Sequence, residues 1–142
     1  MIAIACDSAG LALKHIVMDY LKENELEYKD FGAYDESPTD YPFFAQSVSR
    51  AILAGECTRG ILICGTGNGI SMAANRFKGI RAAICHDVFS AKAARSHNDA
   101  NILSLGARVI GAGVALECVD AFLNTEFSGV DRHKRRVDML DS

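Results

Sequence analysis

A chain of 142 residues that is 49% hydrophobic and 23% charged has apolar side chains enough for one packed domain, with no linker or repeat that would divide it. Its formal net charge of −3 argues against a general nucleic-acid surface, and no apolar run approaches the length of a membrane span. Five scattered cysteines, Cys6, Cys57, Cys64, Cys85 and Cys118, form no C-x-x-C pair and fit reduced thiols rather than a disulfide framework or a zinc site.

The start, Met1-Ile2-Ala3-Ile4-Ala5, runs into a strand without a basic leader, so a cytoplasmic protein is expected. Ile2 to Cys6 reads as the first strand and Asp7-Ser8-Ala9-Gly10 as the turn after it. A helix to about Asn24 follows, with Leu11, Leu13, Ile16, Val17, Tyr20 and Leu21 as its apolar positions and Asp7 or Ser8 as its cap. Tyr28 to Phe31 is a short strand. Asp40-Tyr41-Pro42 then opens a helix to about Ala54, with Asp40 as cap candidate and proline in the first turn.

Gly60-Ile61-Leu62-Ile63-Cys64-Gly65-Thr66-Gly67-Asn68-Gly69-Ile70 is the centre of the chain. Its continuous apolar run reads as a strand buried on both faces, and the glycines turn that strand into a helix ending near Asn75. Further on, Ile80 to Cys85 predicts a strand and Val88 to Ser96 a helix ending at His97-Asn98-Asp99. Ile102 to Leu105 and Val109-Ile110 predict short strands around Gly106, and Val114 to Leu123 a helix. A terminal helix over about 131–141 carries Arg132, His133, Lys134, Arg135 and Arg136 and is free to pack on a partner subunit. Strand and helix alternate throughout, so the expected fold is a single α/β domain over 1–142, a three-layer Rossmann-like arrangement of about five parallel strands with helices on both faces.

The central loop admits several chemistries. A dinucleotide fingerprint needs a glycine where Ile70 stands, and a phosphate-binding P-loop needs a lysine that is absent. A buried core cysteine in a tight turn is one reading. The other is a thiol at a strand's carboxyl end, facing backbone N–H donors and a helix N-terminus that lower its proton affinity.

The motifs Cys6-Asp7-x-Ala9-Gly10, Thr39-Asp40-Tyr41-Pro42, Cys64-Gly65-Thr66-Gly67-x-Gly69-Ile70-Ser71, Ala73-Ala74-Asn75, Gly79-Ile80-Arg81-Ala82-Ala83, His97-Asn98-Asp99-Ala100-Asn101 and Arg132-His133-x-x-Arg136 resemble those of the ribose-5-phosphate isomerase B family, which includes galactose-6-phosphate isomerase subunits. The resemblance covers nearly the whole chain. It implies a cofactor-free, metal-free aldose–ketose isomerase working through an enediolate, built as a homodimer or tetramer with each site at a subunit interface. Ribose 5-phosphate and ribulose 5-phosphate are the expected substrates. The alternatives are a four- or six-carbon sugar phosphate of the erythrulose or allose/galactose type, and a phosphosugar-binding module without catalysis.

The resemblance also assigns roles. Cys64 is the proton-transferring base; Thr66 bonds it or the substrate, or else caps the next helix. Gly65, Gly67, Asn68 and Gly69 offer N–H groups to the enediolate. His97, aided by Asp7, opens the sugar ring; Tyr41 and Asn98 line the pocket; Arg132 and Arg136, on one helix face, grip phosphate together with Arg108. The bland reading of the terminal arginines is a solvated basic helix, and of Asp7 a cap. Most ribose-5-phosphate isomerases of this type carry histidine at the position of Ser8, so serine there opens the question of the preferred sugar. Gly129-Val130-Asp131 stands where many members have two glycines, and the turn there is expected to be longer.

Overall fold

The structure is a computed structural model of residues 1–142. Its elements run β1 (Ile2–Cys6), a short 3-10 turn (Ser8–Gly10), α1 (Leu11–Glu23), β2 (Tyr28–Asp30), α2 (Tyr41–Leu53), β3 (Arg59–Cys64), α3 (Asn68–Ala74), β4 (Ala82–Ile84), α4 (Val88–Ser96), β5 (Ile102–Gly106), α5 (Ala112–Leu123) and α6 (Asp131–Leu140). The five strands are all parallel, in the order β2-β1-β3-β5-β4. Ile4, Ile61, Leu62, Ile63, Leu103 and Leu105 of the three inner strands are fully buried, as strands covered on both faces require. On one face α2 packs against α3; on the other α5 packs against α1 and α4.

Chain direction across the sheet reverses between β1 and β3, because β2 lies outside β1 while the later strands lie beyond β3. Loops leaving the carboxyl ends of two such strands diverge and leave a crevice, where open α/β sheets bind ligands. Asp7-Ser8 and the Cys64–Gly69 loop leave from those two ends.

Several expected details differ. Val109 and Ile110 form a turn rather than a strand, since Val109 and Ile110 N–H both return to the Gly106 carbonyl. The strand expected over Ile80 to Cys85 is paired only from Ala82 to Ile84. Ile16 faces solvent, while Lys14 is buried in α1 with Leu11, Leu13, Val17 and Leu21. Asp40 precedes α2 in extended conformation, but its side chain makes no cap bond. Asn75, just past α3, closes the outer side of β4: its amide donates to the Ala82 carbonyl at 2.9 Å and accepts the Ala82 N–H at 2.7 Å.

Lys14 is fully buried, with Nζ 2.7 Å from Asp30 Oδ1 and donating also to the Ala33 carbonyl. Asp30 Oδ1 in turn accepts the Gly32 N–H at 2.9 Å. The pair therefore fixes the path of the chain leaving β2 alongside Asp7. Lys14→Met leaves the Asp30 carboxylate without its cation and should cost about 3 kcal/mol, the lower end of the range for a broken buried pair because Asp30 keeps some water. The midpoint of urea unfolding should fall accordingly, and adding Asp30→Asn should recover part of the loss, since the amide oxygen can still accept from Gly32.

Candidate active site

The predicted residues fall into two groups at opposite ends of the sheet. At the carboxyl edge stand Asp7, Ser8, Tyr41, the loop from Cys64 to Gly69, and Arg108. Asp7 ends β1 in extended backbone and its Oδ1 accepts the Gly10 N–H at 3.2 Å, so the carboxylate does cap the short helical turn. The Ser8 N–H donates to Thr39 Oγ1 at 3.0 Å, which ties the β1 loop to the approach of α2. Gly67 has φ 84°, a left-handed conformation that glycine adopts without steric cost, and it is the residue at which the strand turns into α3. Tyr41 packs closely on Gly69: a Cβ there would sit 2.6 Å from the ring. Arg108 reaches over the same loop, with Nη1 3.2 Å from where a Cβ of Gly65 would be, and its N–H donates to the Gly65 carbonyl at 2.9 Å.

The loop spends two of its expected donors internally. Gly67 N–H points at Cys64 Sγ, 3.1 Å away, and Asn68 N–H donates to Thr66 Oγ1 at 3.1 Å. Thr66 thus takes the capping role in this state, and the first turn of α3 retains further N–H groups without intrahelical partners. Burial raises the proton affinity of the other four cysteines. It pushes Cys6 up to about 11 and Cys85 up to about 12, and raises Cys57 and Cys118 as well. Cys6 pairs with Ile63 in register, so Cys64, one residue on, projects from the opposite face of the sheet.

At the amino edge stand His97, Asn98, Arg132 and Arg136. His97 caps the C-terminus of α4 and is exposed, as is Asn98. Both line a shallow cavity of about 320 Å³ together with His133, Arg136, Val137 and Leu140. Asp99 has a left-handed φ of 47° and is held there by two guanidiniums: Arg95 Nη1 lies 2.8 Å from Oδ1, and Arg81 Nε donates to its carbonyl at 2.9 Å. Arg81 Nη1 also pairs with Asp141 at 2.7 Å, and Asp141 accepts the Gly79 N–H at 3.1 Å. These bonds dock the end of α6, of whose side chains only Val137 is buried. Arg132 and Arg136 are left exposed.

The two groups do not meet within one chain. Cys64 is in register with Gly106, four residues beyond Ile102, which puts about 13 Å of strand between the Cys64 loop and the segment leading from His97 into β5. In an all-parallel sheet the α4 C-terminus lies below the strands and the Cys64 loop above them.

Three residues in contact with these groups were not among the expected set. His86 Nε2 accepts the Gly106 N–H at 3.0 Å and so braces the turn under Arg108. Thr39 anchors Ser8, and its place in the Thr-Asp-Tyr-Pro motif was the available signal. His133 stacks on His97 with ring centroids 4.6 Å apart; its signal was the Arg-His-x-x-Arg motif itself. No group of three or more His, Cys, Asp or Glu side chains is arranged to hold a metal ion.

The sequence model of the family described as Ribose/Galactose Isomerase matches residues 2–140. Ribose-5-phosphate isomerase B of Escherichia coli (strain K12) is 46% identical over 139 residues, which are 98% of this chain and 93% of that protein. D-erythrulose-4-phosphate isomerase of Pectobacterium atrosepticum is 47% identical over 131 residues, 90% of this chain and 85% of that protein. Among solved structures, ribose-5-phosphate isomerase B of Clostridium thermocellum superposes with a TM-score of 0.97 at 48% identity, covering 99% of this chain and 94% of that one.

Proposed function

This chain belongs to the ribose/galactose isomerase family, and from that membership we propose that it is a sugar-phosphate isomerase interconverting ribose 5-phosphate and ribulose 5-phosphate, with Cys64 as the base. Moving a proton between C1 and C2 needs one group that removes and returns it, donors for the enediolate oxygen, and a hold on the phosphate. The observation that carries the reading is Cys64 at the strand switch point with a backbone N–H on its sulfur. N–H groups at the start of α3 supply positive potential where the enediolate forms, and Arg108, over the same loop, adds to the hold on the phosphate.

His97, Asn98, Arg132 and Arg136 belong to the same reaction in this reading, supplied by a second copy of the chain. A complete site then lies at the interface of a homodimer, with the carboxyl edge of one sheet facing the amino edge of its partner. Exposed Met72, Phe89 and Val109 give this chain apolar surface near the carboxyl edge for such a contact. We place the enzyme in the cytoplasm and treat residues 1–142 as one domain.

His97 is assigned to ring opening, because ribose 5-phosphate is cyclic in water and ribulose 5-phosphate has no free hydroxyl placed to close a normal ring. In a His97→Asn variant, the rate from ribose 5-phosphate should stop rising with enzyme concentration once uncatalysed ring opening becomes limiting. The rate from ribulose 5-phosphate should stay proportional to enzyme. Proportionality in both directions, at reduced rate, would make His97 a binding or folding residue.

The second reading, a four-carbon substrate, is favoured by Ser8, and the erythrulose-phosphate enzyme is as similar to this chain as the ribose-phosphate enzymes are. Serine offers a shorter, uncharged donor than histidine. Initial rates on aldose phosphates of four, five and six carbons separate these readings, and a kcat/KM on erythrose 4-phosphate exceeding that on ribose 5-phosphate would replace the first by the second.

A further inference from the structure

At the amino edge, the start of α6 is locked to the end of α4 by a closed set of contacts. The Ser128 N–H donates to the Ser96 carbonyl at 3.0 Å. Ser128 Oγ accepts the Val130 N–H at 3.2 Å and bonds His133 Nδ1 at 2.7 Å. The His133 ring then stacks on His97, with centroids 4.6 Å apart and planes tilted by 39°. His97 follows Ser96 in the chain, so the circuit begins and ends on adjacent residues. Gly129, with a left-handed φ of 68°, makes the turn that allows it.

We propose that His133 is a positioning residue for His97: held through Ser128 and stacked on His97, its neutral ring fixes the plane of the His97 ring. This rests on the ring-opening role of His97 given above. Ser128 Oγ, having accepted from Val130, can give its own proton to His133 Nδ1, which leaves the neutral ring's N–H at Nε2. A positive charge on His133 would be repelled by any charge on the ring stacked against it. Partial burial holds His133 below the usual histidine range, and Arg132 and Arg136 on its own helix and His97 from α4 push the same way. The remaining groups around the cavity, Asn98, Val137 and Leu140, carry no charge. A neutral His133 is also what the phosphate-binding helix tolerates, since a third cation between two guanidiniums would gain nothing without a bound anion.

The test has two arms. The first is a histidine titration by NMR on the intact protein, which has only four histidines to assign. The His133 transition should move to higher pH in His97→Asn, because one of the charges holding it down is gone. An unmoved transition means that the two rings do not interact in solution and overturns the proposal. This arm needs no substrate, so it stands even if the sugar assignment fails. The second arm is kinetic. His133→Ala should lower kcat for ribose 5-phosphate about tenfold with KM within about twofold, and His133→Phe, which keeps a flat stacking ring, should restore most of the loss. A raised KM with unchanged kcat would make His133 a phosphate contact instead. An equal loss in the alanine and phenylalanine variants would mean that the hydrogen bond to Ser128, rather than the stacked ring, matters, and would overturn it too. Absence of turnover by the unmodified enzyme on any sugar phosphate would refute the isomerase reading while leaving the titration result to decide the coupling.

Discussion

Replacing Cys64 by alanine is expected to lower kcat for ribose 5-phosphate by about 10²- to 10⁴-fold, the usual contribution of a positioned base, with little change in stability. The stability should hold because Cys64 is at the rim of the core, at the last position of β3, and its loss removes one sulfur and one N–H···S contact. A variant retaining more than a tenth of normal turnover would take Cys64 out of the mechanism. Chemical modification provides an independent check. Cys64 is 5% exposed, against 0–2% for the other four cysteines, and burial raises the proton affinity of those four. Iodoacetamide at neutral pH should therefore label Cys64 first, inactivate in step with that label, and be held off by saturating sugar phosphate. Peptide mapping that found the early label on Cys6 or Cys85 would contradict this contrast in exposure and proton affinity.

Two inactive variants should restore activity when their subunits exchange. In the interface reading, Cys64→Ala removes the base from the carboxyl-edge half of a site, and Arg136→Ala removes a phosphate contact from the amino-edge half contributed by the partner. A mixed dimer then has one site carrying both lesions and one carrying neither. Random pairing makes half of the dimers mixed, so recovery should approach about a quarter of the activity of the unmodified protein. The geometry behind this is strict: the two groups are separated by the length of β5 within one chain, and no side chain spans about 13 Å of strand. No recovery, with exchange confirmed by mixed mass labels, would require all the groups to act from one subunit.

Much of this was legible in the residues. The uninterrupted apolar run Ile61 to Ile63 announced a doubly covered strand, and Cys64-Gly65-Thr66-Gly67 announced a turn with backbone facing outward; both follow from side-chain size and glycine geometry. The Val109-Ile110 pair misled because a β-branched dipeptide favours extended backbone, whereas here the turn back to the Gly106 carbonyl outweighs that preference. Ile16 and Lys14 exchange their expected places for a similar reason. The helix period puts both near the boundary of the apolar stripe, and the Asp30 carboxylate with the Ala33 carbonyl decides which side chain is drawn inside. Nor could spacing reveal that His97 and Cys64 lie at opposite edges, since that depends on the direction of α4 relative to the strands. The family motifs named both residues, but only the parallel sheet separates them in space.

The amide of Asn75 has a consequence for solubility. An open outer strand presents rungs to which another chain's strand can add, the route by which sheets fuse between molecules. On β4 the Ala82 rung is already occupied, because the Asn75 side chain imitates a neighbouring peptide group with one donor and one acceptor. With only Ala82 to Ile84 in that strand, the next outward rung is Ile84, too little for an added strand to register against. At the β4 margin the sheet therefore offers almost no free rung, so this apolar outer strand is a poor seed for fibrous growth.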